Sequence, residues 1–355
     1  MATMTRTSWY ARPRPALSVD SVSVDSVDDG NRPSGAVAAF HRTLPGYAPT
    51  PLVELPSLAA ELGVHRLFVK DESSRLGLPA FKMLGASWGA FRALSEHYGL
   101  AEPTLEELRA RVRAGRPVRF VTATEGNHGR AVAAMARLLG VRARIYVPSG
   151  VHPAAVAAIE GEGARVAGVA GTYEEAVRRA VEAAASAEGD TLLIQDTSVP
   201  GQDSDQVPQW IVDGYSTLFT EIDDELSARG VEPPGLVAVP VGVGSLAQAA
   251  VAHYRSGRSG RSGRSGRATP PPTLLTVEPD AAACVLASLA AGRLTTIGTS
   301  ATIMSGLHCA TPSALAWPHL RDGVDAAASV ADGAAARAAR DLAALGVRAG
   351  PCGAA

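Results

Sequence analysis

The chain has 355 residues, long enough for two or three lobes around a large buried core. Its 33 basic and 35 acidic residues nearly cancel, which leaves no overall electrostatic footprint for nucleic acid or for an anionic membrane surface. Three widely spaced cysteines, Cys284, Cys309 and Cys352, show no metal-ligand pattern, so the expectation is a reduced, cytoplasmic protein without a metal.

The first residues, MATMTRTSWYARPRP, lack the apolar centre of a signal peptide, and no later apolar run is long enough to span a bilayer. Residues 1–39 are polar and rich in Pro, Ser and Asp, with a near-repeat of Ser-Val-Asp-Ser at 18–21 and 23–26; they read as a loosely ordered extension. Leu44 to Leu52 is a turn-rich extended arm, and Leu55 to Leu62 a short helix closed by Gly63. The strand Arg66–Val69 runs into a charged turn that delivers Phe81 and Lys82 just before a helix expected from Ala86 to Tyr98. A charged helix at 102–116 precedes the buried-type strand Val118–Ala123, the stretch Thr124 to Arg130, and a helix to Leu139. Strands at 143–148, 165–169 and 191–195 alternate with a helix at 153–162 and one opened by the Thr172–Glu175 capping box. Short connections between them argue for a parallel lobe and an α/β class. After a polar loop at 198–208 come a long helix, Gln209 to Arg229, a strand at 236–241, and the glycine stretch Gly242-Val243-Gly244-Ser245-Leu246-Ala247 with a helix to Tyr254. The Arg-Ser-Gly triplets from Arg255 through Gly266 read as a flexible loop of replication-slippage type; their arginines also allow weak phosphate or nucleic-acid contact. Strand 273–277 ends at Glu278-Pro279, residues 300–320 are loop-rich, and an Ala-rich helix spans 334–345.

Lys82 sits where a strand ends and a helix begins, the place where open α/β sheets bind ligands. The electropositive helix start and partial burial both predict a lowered pKa, as in lysines that form Schiff bases with pyridoxal 5′-phosphate (PLP). An ordinary surface lysine is the competing reading. The stretch from Gly242 to Ala247 suits a phosphate, because glycines admit close approach and a helix start offers free N–H groups. It also matches the dinucleotide pattern G-x-G-x-x-A, but no acid occurs before Glu278 to hold a ribose, so a single phosphate fits better than NAD. A tight strand–helix turn would also explain it. Asn127 could bond a ring oxygen or simply cap its helix; His128 fits a packed core histidine. Glu125 and Asp196, each at a strand end, are candidate proton donors or acceptors, or else solvated loop carboxylates. His308 and Cys309 could line a site or pack a loop. No Ser-His-Asp elbow, kinase signature or zinc motif is present.

Taken together, several stretches resemble the PLP-dependent tryptophan synthase beta-chain superfamily, and within it the diaminopropionate ammonia-lyase family. They are Pro45 to Leu52, Lys70 to Ser73 with Arg75 to Leu78, Ala80 to Gly85, Gly126 to Arg130, Gln195 to Thr197, Gly242 to Gly244, Val277 to Pro279 and Thr302 to Leu307. The Arg-x-Gly-Leu segment and Ala316-Trp317-Pro318 favour the lyases over ordinary serine/threonine dehydratases. The resemblance implies a two-lobed fold type II with the cofactor in the cleft. The larger lobe would combine 40–86 with 205–355, and the smaller would span 87–204. It implies that Lys82 holds PLP as a Schiff base and removes the α-proton. Phe81 and Asn127 would contact the cofactor, Asn127 at its 3′-oxygen, while Gly242, Val243, Gly244 and Ser245 cradle its phosphate. Asp196 would meet the substrate's second amino group. Glu125 stands where the family has an aspartate proposed as the opposite-face base for the D-isomer. The expected reaction is α,β-elimination from 2,3-diaminopropionate, giving pyruvate and ammonia, in a possible homodimer. The family also continues beyond residue 355, with a partner for the ring nitrogen, so the chain reads as truncated. A serine/threonine dehydratase and a truncated, non-catalytic PLP-fold chain are the alternatives.

Overall fold

In a computed structural model the described residues are 8–12, 34–186, 190–198, 206–256 and 270–355. The Ser-Val-Asp-Ser near-repeat, residues 199–205 and most of the Arg-Ser-Gly repeat lie outside them. The chain opens with β1 (Trp9–Ala11), α1 (Ser34–Thr43), β2 (Leu52–Glu54), α2 (Pro56–Glu61) and β3 (Phe68–Lys70). Next come α3 (Lys82–His97), α4 (Leu105–Ala114), β4 (Val118–Ala123), α5 (Asn127–Leu139), β5 (Arg142–Pro148), α6 (Pro153–Gly161), β6 (Arg165–Val169), α7 (Tyr173–Ala185) and β7 (Asp190–Leu193). The remainder holds α8 (Gln206–Gly214), α9 (Ser216–Ala228), β8 (Leu236–Pro240), α10 (Ser245–Arg255), β9 (Thr273–Pro279), α11 (Cys284–Ala291), α12 (Trp317–Gly323), β10 (Ala326–Val330) and α13 (Asp332–Ala344).

These strands build two four-stranded sheets and a short β2–β3 ribbon, an α/β arrangement. The first sheet, β6-β5-β4-β7, is parallel throughout. Its central strand β4 is almost wholly buried, as a strand covered on both faces must be, so it carries Val118, Phe120 and Val121 without alternation. Helices α4 and α7 start at reciprocal capping boxes, Thr104 with Glu107 and Thr172 with Glu175. The second sheet, β1-β10-β9-β8, is parallel except for β1, which lies antiparallel on β10. The carboxyl ends of β4, β7 and β8 release the segments around Glu125, Asp196 and Gly242.

Three local expectations are corrected. Residues 1–39 are not uniformly loose: β1 pairs Trp9 with Ala328, and the Arg12 main-chain N–H donates to Asp325 at 2.8 Å. A ladder of main-chain bonds needs no apolar pattern, and a run of three residues, Trp9-Tyr10-Ala11, is too short to show one. Helix α1 likewise begins within this stretch, burying Val37 and Phe40. The helix expected from Gln209 to Arg229 is two, α8 and α9, meeting at Tyr215. There Gly214 backs onto α3 so closely that a Cβ would lie 2.6 Å from the Leu84 carbonyl oxygen. Helix α3, expected from Ala86, begins at Lys82 itself, with the Leu84 N–H donating to the Phe81 carbonyl at 2.9 Å. Gly85, poor for an isolated helix, is required here: a Cβ would sit 2.5 Å from Tyr215 Cε1.

The turn before Lys82 is anchored by ions. Arg75 is fully buried and donates to Glu72 and Glu221, and Lys70 reaches Glu221 at 2.6 Å. Burial alone would raise the Glu221 carboxyl, but Arg75 and Lys70 outweigh it and hold it at about 2. After Arg75 the chain turns through Leu76 at φ 51°, the one non-glycine residue with positive φ among the described residues, and Gly77 at φ 79°. The network thus joins β3, the turn and α9, and sets where α3 starts.

Candidate active site

Lys82, the first residue of α3, extends its ammonium to Asp196 Oδ2 at 2.6 Å. The two come from segments 114 residues apart, joined by the packing of α3 against α5 and α8. The expected lowering of the Lys82 pKa is corrected by this contact. Burial does push the amine down, but the Asp196 carboxylate outweighs it and the net direction is upward. Asp196 itself is pushed up by burial and down by His128 and Lys82, and settles at about 2. His128 is buried, with its pKa lowered by that burial. Its Nε2 donates to the Ile194 carbonyl at 2.8 Å, which turns Nδ1 toward Asp196 at 3.6 Å. Near neutral pH the imidazole is therefore uncharged, and Lys82 is the cation that Asp196 faces.

The glycine loop approaches the same carboxylate residue. Ser245 Oγ donates to the Asp196 main-chain carbonyl at 2.7 Å, while Ser245 opens α10. The first N–H groups of that helix have no intrahelical acceptor. Gly242 is held against residues 306–309: an added Cβ would lie 3.2 Å from Cys309 Sγ, the Gly306 carbonyl and Leu307 Cα. Gly244 has φ 106°, a left-handed conformation that disfavours any side chain. The Ser313 N–H donates to the Val243 carbonyl at 2.8 Å, and Ser198 N–H to Ser313 Oγ at 3.2 Å, so one segment ties the glycine loop to the chain leaving β7.

Asn127 is exposed at the start of α5. Glu125, two residues before it, is pushed up to about 7, by burial first and by Glu174 second. Its carboxylate lies 3.8 Å from His308 Nδ1. Phe81 stacks edge-on to Tyr215 with ring centroids 5.0 Å apart, and Lys82 Nζ lies 5.8 Å from the Phe81 ring centre. Thus Lys82, Asp196 and Ser245 form one contacting group beside Phe81, and Glu125 joins His308. His308 and Cys309, weighed in the sequence as site lining or loop packing, lie beside candidate residues: Cys309 backs Gly242 and His308 faces Glu125.

Sequence reasoning missed Tyr215 and Ser313. Tyr215 is fully buried, its hydroxyl has no hydrogen-bond partner among the described residues, and it feels the charge of Lys82 and Asp196. No local pattern marks it, because it lies at a helix junction distant in sequence from Lys82.

A phosphorylated pyridine aldehyde fits these residues. It needs an amine, which Lys82 supplies, and a group that orients that amine, which Asp196 supplies at 2.6 Å. It also needs a phosphate cradle, and at Gly242 a side chain would fill the space between loop and backing segment.

Comparison with known proteins agrees with this chemistry. Residues 43–355 match the family described as pyridoxal-phosphate dependent enzymes. The diaminopropionate ammonia-lyase of Escherichia coli (strain K12) is 36% identical over 304 residues, 85% of this chain and 73% of that protein. The crystal structure of the Escherichia coli enzyme in complex with D-serine superposes with a TM-score of 0.76 at 33% identity, covering 87% of this chain and 74% of that one. A second structure of that enzyme, holding an aminoacrylate-PLP azomethine reaction intermediate, gives 0.72 at the same identity and coverage.

Proposed function

The chain belongs to the pyridoxal-phosphate dependent enzymes, and from that premise we propose that it is a diaminopropionate ammonia-lyase, converting 2,3-diaminopropionate to pyruvate and ammonia. One observation carries the choice of substrate: a buried carboxylate, Asp196, held ionised within 2.6 Å of the reactive amine. A substrate with a second ammonium group gains a charge-assisted partner there; serine or threonine, with a neutral hydroxyl, gains much less.

When bound, pyridoxal phosphate supplies an electron sink for the charge that develops at the substrate α-carbon. Lys82 would hold the cofactor through Nζ, and the same amine, once freed by the substrate, would take the α-proton from its face. Asp196, ionised, pairs with the Lys82 ammonium in the resting protein and would receive the substrate's second ammonium. Asn127 would bind the ring oxygen, Phe81 would flank the ring, and the backbone from Gly242 to Ser245 would hold the phosphate. Glu125 takes the α-proton from the opposite face, which admits the D-isomer. As a Glu in place of a shorter Asp it reaches one methylene further, and an offset of that order alters rate strongly. The architecture in this proposal is two lobes, 87–204 and 40–86 with 205–355, in a cytoplasmic homodimer whose mass light scattering would measure.

The test is the visible absorption spectrum of the purified protein with PLP, before and after 2,3-diaminopropionate, alongside coupled pyruvate detection. The expected result is a Schiff-base band that is absent from Lys82→Ala and shifts as pyruvate forms. Serine and threonine should give pyruvate or its homologue at least tenfold more slowly. Equal or faster turnover of serine would make this chain a dehydratase, and a folded protein without the band would refute the assignment.

A further inference from the structure

Glu125 and His308 reach each other from different parts of the fold. Glu125 follows β4 of the first sheet. His308 follows the 3-10 turn Ser305–Leu307, on the segment that backs the glycine loop and leads to α12. Nδ1 and Oε1 are 3.8 Å apart, within ion-pair range but too long for a direct hydrogen bond. The His308 Nε2 atom is buried and has no hydrogen-bond partner among the described residues, so the ring's polarity is not spent on the protein elsewhere.

The surroundings make this contact matter. From α7, Glu174 repels a charge on Glu125. Tyr173 of the same helix and Cys309 beside His308 also sense Glu125, but burial pushes both of them up, so they stay neutral. The Lys82 ammonium is engaged by Asp196. Among the described residues, His308 is the basic group within ion-pair distance of Glu125.

We infer that His308 is the positioning residue for Glu125: its ring, with Nδ1 3.8 Å from Oε1, fixes the direction of the Glu125 carboxylate from the segment behind the glycine loop. The inference rests on reading Glu125 as the opposite-face base and names the group that makes a buried glutamate serviceable in that role. A carboxylate must be ionised to accept a proton, so the partner decides at which pH the opposite face works. The contact also spans the segments that carry the base and that back the phosphate cradle, so cofactor and base are set relative to each other.

Two measurements test it. The first follows the Glu125 carboxyl carbon by 13C NMR titration in protein labelled at glutamate, as purified, with Glu125→Gln assigning the resonance. His308→Asn, which shortens the side chain and withdraws the ring from the carboxylate, should raise the Glu125 midpoint by about one pH unit, as loss of a polar group facing the ionised form does. An unchanged midpoint overturns the proposal. The second compares initial rates on D- and L-2,3-diaminopropionate. His308→Asn should lower the D-to-L ratio by about tenfold and move the acid limb of the D-isomer profile upward, as expected for a mispositioned base. An unaltered ratio and limb overturn it equally. Absence of turnover with either isomer would refute the lyase assignment alone, and the carboxyl titration would still decide the role of His308.

Discussion

Replacing Glu221 with Gln keeps the side chain's shape and removes its charge from the network that anchors the turn before Lys82. In the folded protein Glu221 sits at about 2, against 4.5 for a free glutamate. That difference corresponds to roughly 3 kcal/mol of folding free energy, at about 1.4 kcal/mol per unit. The sign follows from the direction: a depressed carboxyl stabilises fully above 4.5, and the contribution is lost as pH falls through about 2. Three contacts of 2.7 Å or less now reach Glu221, two from Arg75 and one from Lys70; without the charge, Arg75 keeps Glu72 as its ionic partner and Lys70 loses its ion pair. For a chain of this length about 3 kcal/mol lowers the melting midpoint by about 4–5 °C. The assay is circular-dichroism melting of both proteins at pH 7, 5, 4 and 3. Glu221→Gln should melt lower at pH 7, and the gap should narrow below pH 4.5. A gap under 1 °C at pH 7, or one that does not narrow on acidification, would refute the reasoning.

Gly85→Ala places a Cβ 2.5 Å from Tyr215 Cε1 and 2.7 Å from the Ile211 carbonyl oxygen. The helices must separate, at about 2 kcal/mol or more, and both the melting midpoint and the Schiff-base band should fall. Asp196→Asn removes the seat for the second ammonium, so the KM for 2,3-diaminopropionate should rise at least about tenfold; steady-state kinetics with unchanged KM would count against that role. Gly242→Ala puts a methyl 3.2 Å from Gly306, Leu307 and Cys309. Titration with PLP should show affinity weakened by about tenfold, a loss of roughly 1.4 kcal/mol. Because Glu125 titrates near 7 and must be ionised to act, D-isomer turnover should fall as pH drops through about 7; a flat profile from pH 6 to 8 would exclude it as that base.

The residue order by itself determined the elements whose information is local. Capping boxes at Thr104 and Thr172, the apolar run of β4 and the glycines before α10 are all legible within a few neighbouring residues. So is the α/β alternation, which places Lys82, Glu125, Asp196 and Gly242 at the ends of elements where ligands bind. Only the tertiary structure decided what those residues meet. The spacing of 114 residues between Lys82 and Asp196 says nothing of a 2.6 Å contact, and that contact reversed the expected direction of the Lys82 pKa. Gly85 reads as a weak point in a helix until Tyr215 is seen against it. His308 reads as loop until Glu125 arrives from the first sheet. β1 is invisible because main-chain ladders carry no side-chain signature. Helix starts, caps and buried strands depend on steric and hydrogen-bonding preferences a few residues long, whereas charge states and close approaches depend on distance in space, which chain order does not encode.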